Sequence, residues 1–223
     1  MARRRFSPVA WVSMPPVEAL LKTLVSLVVV VDPLGALPVF LSLTASLEEP
    51  QRRKIARDAA SAMFLILLIS AVAGRTILEL FGIHLASIKA AGGILFLIMG
   101  IEMLNARPSR SRQTPEESEE AHQKPNIAIV PLALPYLAGP GAIGSVILLA
   151  DRGPVWPNLP LVIGMLGIVA LGAWLTLRMA EPIGKRLGVS GRQILERIMG
   201  LILVAIAVEF LVGGVHELWT GKP

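Results

Sequence analysis

Proline and glycine interrupt two long apolar runs of this chain, at Asp32-Pro33-Leu34-Gly35-Ala36-Leu37-Pro38 and at Pro131-Leu132-Ala133-Leu134-Pro135-Tyr136-Leu137-Ala138-Gly139-Pro140-Gly141. Proline removes a backbone donor and clashes with the preceding helical turn, so both runs are predicted to form discontinuous helices. Each run is long enough to span a bilayer, and each opens one half of the chain. A matched pair of interrupted spans is typical of the binding site of a secondary transporter.

The composition indicates an integral membrane protein. Of 223 residues, 54% are hydrophobic and 17% charged, and the mean hydropathy is +0.67. The net charge of +5 comes from basic residues at span ends, which favours a role in topology and lipid contact over nucleic-acid binding. The chain has no cysteine, which excludes disulfides, thiolate catalysis and iron–sulfur sites.

Six spans are predicted, and they divide the chain into two halves of three. Prolines after the Arg3–Arg5 cluster argue against a cleaved signal peptide. The predicted spans cover about 17–43, 55–80, 83–104, 127–150, 159–179 and 194–215. The predicted segments are an N-terminal tail (1–16), a first three-helix repeat (17–104), a flexible polar loop (105–126), a second three-helix repeat (127–215) and a C-terminal tail (216–223).

The two halves resemble each other. The segment 93–104 aligns with 200–211 at a constant offset of 107, matching a glycine, a glutamate and a final leucine. Since each half has an odd number of spans, the second half must be upside down relative to the first. The predicted fold is therefore an all-α integral membrane protein with six transmembrane helices in two inverted three-helix repeats, with helices 1 and 4 discontinuous.

Lysine and arginine counts predict the orientation. Thirteen of these residues fall in the loops after spans one, three and five, and seven fall on the opposite side. The positive-inside rule then places both termini outside, although the Arg3–Arg5 cluster argues the other way.

Asp32 is the acidic residue predicted near the centre of a span, where an uncompensated carboxylate costs several kcal/mol. One interpretation makes it the N-cap of a half-helix that begins at Pro33. The other makes it a site for a coupling proton or cation. The two roles are compatible.

The second half-helix is predicted to begin at Gly139-Pro140-Gly141 and to present the amides of Gly141, Ala142 and Ile143 to a ligand carboxylate. Close packing of small residues is the alternative for these glycines. The predicted substrate-binding residues are Asp32, Gly35, Pro38, Pro135, Gly139, Gly141, Ala142 and Ser145, with Asp32 also as the coupling-ion residue. Hydroxyls at Ser42, Thr44 and Ser145 could instead bond their own helix.

Other side chains in or near the spans favour structural roles. Glu102 and Glu209 occupy equivalent places in the two halves and are expected to reach water, as is Lys89. Arg75 and Glu79 are expected to pair. The sequence predicts no catalytic residue, metal site or cofactor, because it lacks the paired aspartates or serine–histidine context of membrane proteases.

Five segments of the chain resemble the MarC family of bacterial inner-membrane proteins. The resemblance rests on 31–44, Phe81-Gly82-Ile83, 90–95, 129–135 and 138–143, and it covers about residues 18–215. It implies a six-span protein of the cytoplasmic membrane, some relatives of which are described as transporters of small neutral amino acids.

The preferred hypothesis is a secondary transporter of a glycine- or alanine-like zwitterion, coupled to a proton or sodium, with a midplane site between the broken helices. The first alternative is an exporter or flippase of another small solute or lipid headgroup. The second is a non-transporting scaffold or stress protein, which would have no need of paired helix breaks. The lipid bilayer and a small molecule are the expected partners, and no nucleic acid is expected.

Overall fold

A computed structural model describes residues 16–105, 127–150 and 155–221, and these parts of the chain are helical, joined by short turns. The predicted N-terminal tail and nearly all of the predicted polar loop lie outside the described residues. The helices are α1 (Pro16–Val31), α2 (Leu37–Leu43), α3 (Glu49–Leu80), α4 (Leu85–Leu104), α5 (Ala128–Leu137), α6 (Pro140–Ala150), α7 (Val155–Arg178) and α8 (Ala180–Thr220).

The first predicted span is broken between α1 and α2. Asp32 ends α1 with a φ of +50°, in the left-handed region. The half-helix predicted to begin at Pro33 begins instead at Leu37, with Ala36 as its N-cap residue and Pro38 in its first turn. Asp32 caps only the turn that Pro33 opens: its side chain accepts from the Gly35 N–H at 3.0 Å and its carbonyl from the Ala36 N–H at 3.3 Å. Pro33 lies in the turn between the helices, because the left-handed residue before it redirects the chain.

The second break is the joint between α5 and α6, whose axes are bent by 63°. α5 is wound loosely, with Ala138 N–H bonded to Ala133 O five residues back at 2.8 Å. Within it, Val130 and Leu134 are extended. Both precede a proline, and the proline ring disfavours the helical conformation at the residue before it.

Within the described residues, four helices are long and apolar enough to cross a membrane: Glu49–Leu80, Leu85–Leu104, Pro160–Arg178 and Gln193–Thr220. The bent pair α5–α6 makes a fifth candidate span. The first predicted span does not qualify, because the break leaves the apolar stretch Leu20–Val31 and the seven-residue α2 as separate short helices. α8 also runs to Thr220, beyond the predicted end of the last span.

α4 and α8 form an antiparallel pair held close by glycines. A Cβ on Gly93 would lie 2.6 Å from the backbone nitrogen of Leu211, and one on Gly200 would lie 2.9 Å from the carbonyl oxygen of Gly100. Such approach between helix backbones is possible only without side chains.

The remaining core is built around α3, which packs on α5, α6 and α7. Two glycines with positive φ, Gly82 at the end of α3 and Gly188 within α8, turn the chain ahead of the paired helices. Gly188 separates a short first part of α8 from the membrane-crossing stretch that follows.

Candidate transport site at the helix breaks

The first break is organised around the Asp32 carboxylate, which is 2% exposed. Its Oδ1 accepts a hydrogen bond from the Gly35 N–H at 3.0 Å, closing a local turn. A Cβ on Gly35 would lie 2.1 Å from Asp32 Oδ2, so only glycine leaves room for this carboxylate. Asp32 therefore stabilises the break itself, and burial of a charged group here has a cost that functional sites commonly carry.

The second break places the first turn of α6 beside α4. The Ile143 N–H donates to the carbonyl of Gly139 at 3.0 Å, as expected for an N-cap residue. The prediction that Ile143 offers a free amide is therefore wrong. Gly141 and Ala142 hold the first-turn amides, but a Cβ on Gly141 would lie 2.3 Å from the Phe96 ring, so helix packing already uses part of this surface.

A hydrogen bond joins the two breaks. The Tyr136 hydroxyl, on α5, donates to the carbonyl oxygen of Gly35 at 2.6 Å. The Gly35 carbonyl lies in the turn between α1 and α2, where regular helical hydrogen bonding is interrupted. A side chain from the other half of the chain therefore supplies its hydrogen bond. The two interruptions, about a hundred residues apart in sequence, are neighbours in space.

The predicted site residues fall into three places. Asp32 and Gly35 line a small pocket against α8, together with Glu196 and Met199. Gly139, Gly141 and Ala142 line a second small pocket against α4, together with Tyr136.

Ser145 lies one turn further along α6 and lines a separate pocket towards α1. Pro38 and Pro135 line none of these three pockets and act through the backbone. The Pro135 carbonyl oxygen, for example, would lie 2.8 Å from a Cβ on Gly139.

Two residues near the breaks were missed by the sequence analysis. Tyr136 is the chain's single tyrosine and stands inside the second proline–glycine block, which was a usable signal. Glu196 carried no such signal in the sequence, because its position in the Asp32 pocket depends on how α8 packs. The Thr44 hydroxyl bonds the Phe40 carbonyl of its own helix at 2.7 Å, as the structural interpretation of that residue expected.

Charged pairs mark the helix ends. Arg75 and Glu79 pair at 2.8 Å, which confirms the prediction. Lys89 forms an ion pair with Glu217 across α4 and α8 rather than only reaching towards water.

Arg52 on α3 pairs with Glu181 at 3.3 Å and so ties the start of α3 to the start of α8. A hydrogen bond from Lys185, with the charges of Lys185 and Arg52, lowers the pKa of Glu181 below its ordinary value. Among the residues that the structure describes, no three histidine, aspartate or glutamate side chains are placed to hold a metal ion.

Comparison with known proteins adds the family. The family described as MarC family integral membrane protein matches residues 17–219. The UPF0056 membrane protein YhcE of Escherichia coli strain K12 is 36% identical over 90% of this chain and 93% of its own length. UPF0056 membrane proteins of Buchnera aphidicola (from Acyrthosiphon pisum; 34%, covering 90% and 94%) and Methanocaldococcus jannaschii (38%, covering 84% and 91%) are similar. No solved structure matches the chain.

Proposed function

The chain belongs to the MarC family of integral membrane proteins, and from this premise we propose that it is a secondary transporter of small neutral amino acids such as glycine and alanine. It acts in the cytoplasmic membrane with both termini outside, and its site lies between the two broken helices. The observation that carries this proposal is the hydrogen bond from Tyr136 to Gly35, because it brings both interruptions together. Broken helices that meet inside a membrane protein are the usual setting of a transporter's site.

The proposal includes an inverted repeat of the two halves. The offset of 107 that relates the two halves also maps Asp32-Pro33 onto Gly139-Pro140, so the two breaks occupy equivalent positions.

The same offset relates contacts of the antiparallel pair α4–α8. The backbone contacts of Gly93 with Ala207 and Leu211 correspond to those of Gly200 with Gly100 and Leu104. A two-fold relation between antiparallel helices is what inversion of one repeat produces.

The proposed roles follow from the chemistry of each break. Asp32 holds the coupling proton or sodium ion, because it is a buried carboxylate at the interruption. The substrate carboxylate meets the first-turn amides of Gly141 and Ala142, where the helix dipole favours negative charge. Gly35 and Gly139 allow close approach to the backbone, Ser145 supplies a hydroxyl, and Pro38 and Pro135 maintain the breaks.

The alternatives fit these features less well. A flippase for lipid headgroups would place lysine or arginine beside the breaks, and the described residues lining the two break pockets include neither. A scaffold would have no need of a buried aspartate in a left-handed turn. An exporter of a different small solute remains the second candidate, distinguished by substrate competition.

The test is counterflow of labelled alanine and glycine into proteoliposomes, with and without a proton or sodium gradient. Saturable uptake that unlabelled neutral amino acids compete away is expected, and the effective gradient identifies the coupling ion. Uptake no higher than in empty liposomes, from protein that elutes as a folded species, would refute the amino-acid assignment.

Asp32→Asn tests the coupling role. We expect the variant to insert and fold but to lose gradient-driven uptake, because the amide can neither bind a proton nor balance a cation. Asp58→Asn, at a partly exposed aspartate on α3, is the matched control and should keep full uptake. Full gradient-driven uptake by Asp32→Asn would rule out a coupling role for this residue.

A further inference from the structure

One face of α1 is polar although the helix is otherwise apolar. Lys22 and Thr23 lie on this face, with Ser26 one helical turn further along, and the face is directed towards α6 and α8. Together with Ser145 and Glu209 these side chains border an open pocket with a volume of about 90 Å³. Leucine, isoleucine, valine and phenylalanine side chains form the rest of its wall, so the polar groups are concentrated at the boundary of three helices.

The Ser145 hydroxyl is an unpartnered polar group beside this pocket. Its Oγ is enclosed, and it has no hydrogen-bond partner among the described residues. A serine in a helix usually bonds the carbonyl of the preceding turn, and leaving a buried hydroxyl without a partner costs about 1–3 kcal/mol. Because the oxygen is enclosed, the side chain must rotate towards the adjoining pocket before a water molecule there can remove this cost.

The position of Glu209 independently indicates that this pocket contains water. It lies inside the apolar crossing stretch Gln193–Thr220 and eleven residues before the end of that stretch, about 16 Å along the helix axis. The protein does not cover its side chain, which is exposed. A carboxylate held at this depth against lipid would be costly, whereas a carboxylate bordering water is not.

The pocket adjoins the second break. Val30 lines both this pocket and the small pocket formed by Gly139, Gly141 and Ala142 beside α4. A solute in the larger pocket therefore lies one side chain away from the first turn of α6. Lys22 is an exposed residue towards the N-terminal end of α1, and we assign the mouth of the pocket to that end.

We infer that this pocket is a water-filled vestibule through which small zwitterions reach the second helix break. Glu209 attracts the ammonium group of the solute and Lys22 attracts its carboxylate, so the pair selects molecules that carry both charges. The water-filled character rests on exposed Glu209 and on the polar face of α1, with the unpartnered Ser145 hydroxyl beside them. The identity of the solute rests on the proposed function.

The absence of cysteine from the chain makes a direct test possible, since single cysteines can be introduced without background. Ser26→Cys and Ser145→Cys are the test variants, and Val25→Cys is the matched control. Val25 is adjacent to Ser26 on α1 but 57% exposed on the apolar outer surface. Each variant is reconstituted, checked by gel filtration, and treated with a charged methanethiosulfonate reagent that does not cross membranes.

We expect Ser26→Cys and Ser145→Cys to react at least about tenfold faster than Val25→Cys, because only the thiolate reacts and each unit of pKa raised by an apolar environment lowers its fraction tenfold. Reaction should come from the side that also labels Lys22→Cys. Equal, slow labelling of all three would overturn the inference by showing a lipid-filled groove. Equal, fast labelling would overturn it by showing that α1 has no lipid-facing side. Thr23→Cys replaces any test variant that fails to fold.

A transport arm separates this inference from the proposed function. Glu209→Gln should raise the KM for alanine counterflow several-fold, while Glu102→Gln, at the equivalent position of the first half, should leave it unchanged. Labelling as expected without any counterflow would support the vestibule and reject the amino-acid assignment. If the wild type shows counterflow but Ser26→Cys and Ser145→Cys do not react with the reagent, the amino-acid assignment is supported and the vestibule is rejected.

Discussion

Replacement of Gly93 by alanine tests the close pairing of α4 and α8 on which the architecture depends. In the native pair, a Cβ at this position would lie 2.6 Å from the Leu211 nitrogen and 2.9 Å from the Ala207 carbonyl oxygen. Both atoms belong to the backbone of α8, so no side chain can rotate away. The two helices must move apart.

The expected size follows from that displacement. Ordinary contact begins at 3.4 Å, so relief of the closest contact requires a separation of about 0.8 Å. Overpacking of this kind typically costs about 1–3 kcal/mol, and the better helix propensity of alanine returns up to about 1 kcal/mol. We expect a net loss of about 1–2 kcal/mol in the free energy of unfolding, or roughly 2–4 °C in Tm for each kcal/mol.

Thermal unfolding of purified protein in mild detergent measures the effect. Gly164→Ala on α7 is the matched control, because a Cβ there meets nothing within 4 Å, and this variant should be neutral or slightly stabilised. Gly200→Ala should be destabilised in the same direction as Gly93→Ala, since its Cβ would meet the backbone of Gly100 and Leu104 in the equivalent way, at 2.9 and 3.0 Å.

The reasoning fails if Gly93→Ala and Gly164→Ala unfold at the same temperature. It would also fail in part if Gly200→Ala were stabilised while Gly93→Ala was destabilised, because two contacts related by the repeat should respond alike. That second result would leave the helix pair intact and remove the symmetry argument.

Two further predictions concern single side chains. Tyr136→Phe leaves the Gly35 carbonyl without its partner and should lower stability by about 1–3 kcal/mol and reduce uptake, measured by unfolding and counterflow; unchanged values for both would show that the breaks do not depend on this contact. Since Lys185 and Arg52 lower the pKa of Glu181, their contribution to stability is present above the ordinary pKa of a glutamate and is lost as the pH falls through the lowered value. Glu181→Gln should therefore flatten the dependence of Tm on pH in acid, and a profile identical to that of the wild type would contradict the assignment.

The positions of the two helix breaks could be predicted from the sequence, because the cause is local. Proline lacks a donor and restricts the residue before it wherever it occurs, as the extended Val130 and Leu134 show. The start of α6 at Pro140 followed from the same rule. The start of α2 at Leu37 rather than at Pro33 was not predicted, since the left-handed φ of Asp32 depends on how α1 ends and how the turn is packed.

The sequence by itself determined that this is a helical membrane protein and where its apolar helices are interrupted, and it predicted a repeat with an offset of 107. Only the tertiary structure decided which groups meet: Tyr136 with Gly35, Glu196 beside Asp32, and Ser145 with Glu209 around one pocket. Local rules act through the backbone of a few neighbouring residues. Contacts between residues a hundred positions apart depend instead on how whole helices pack, and no short stretch of sequence encodes that packing.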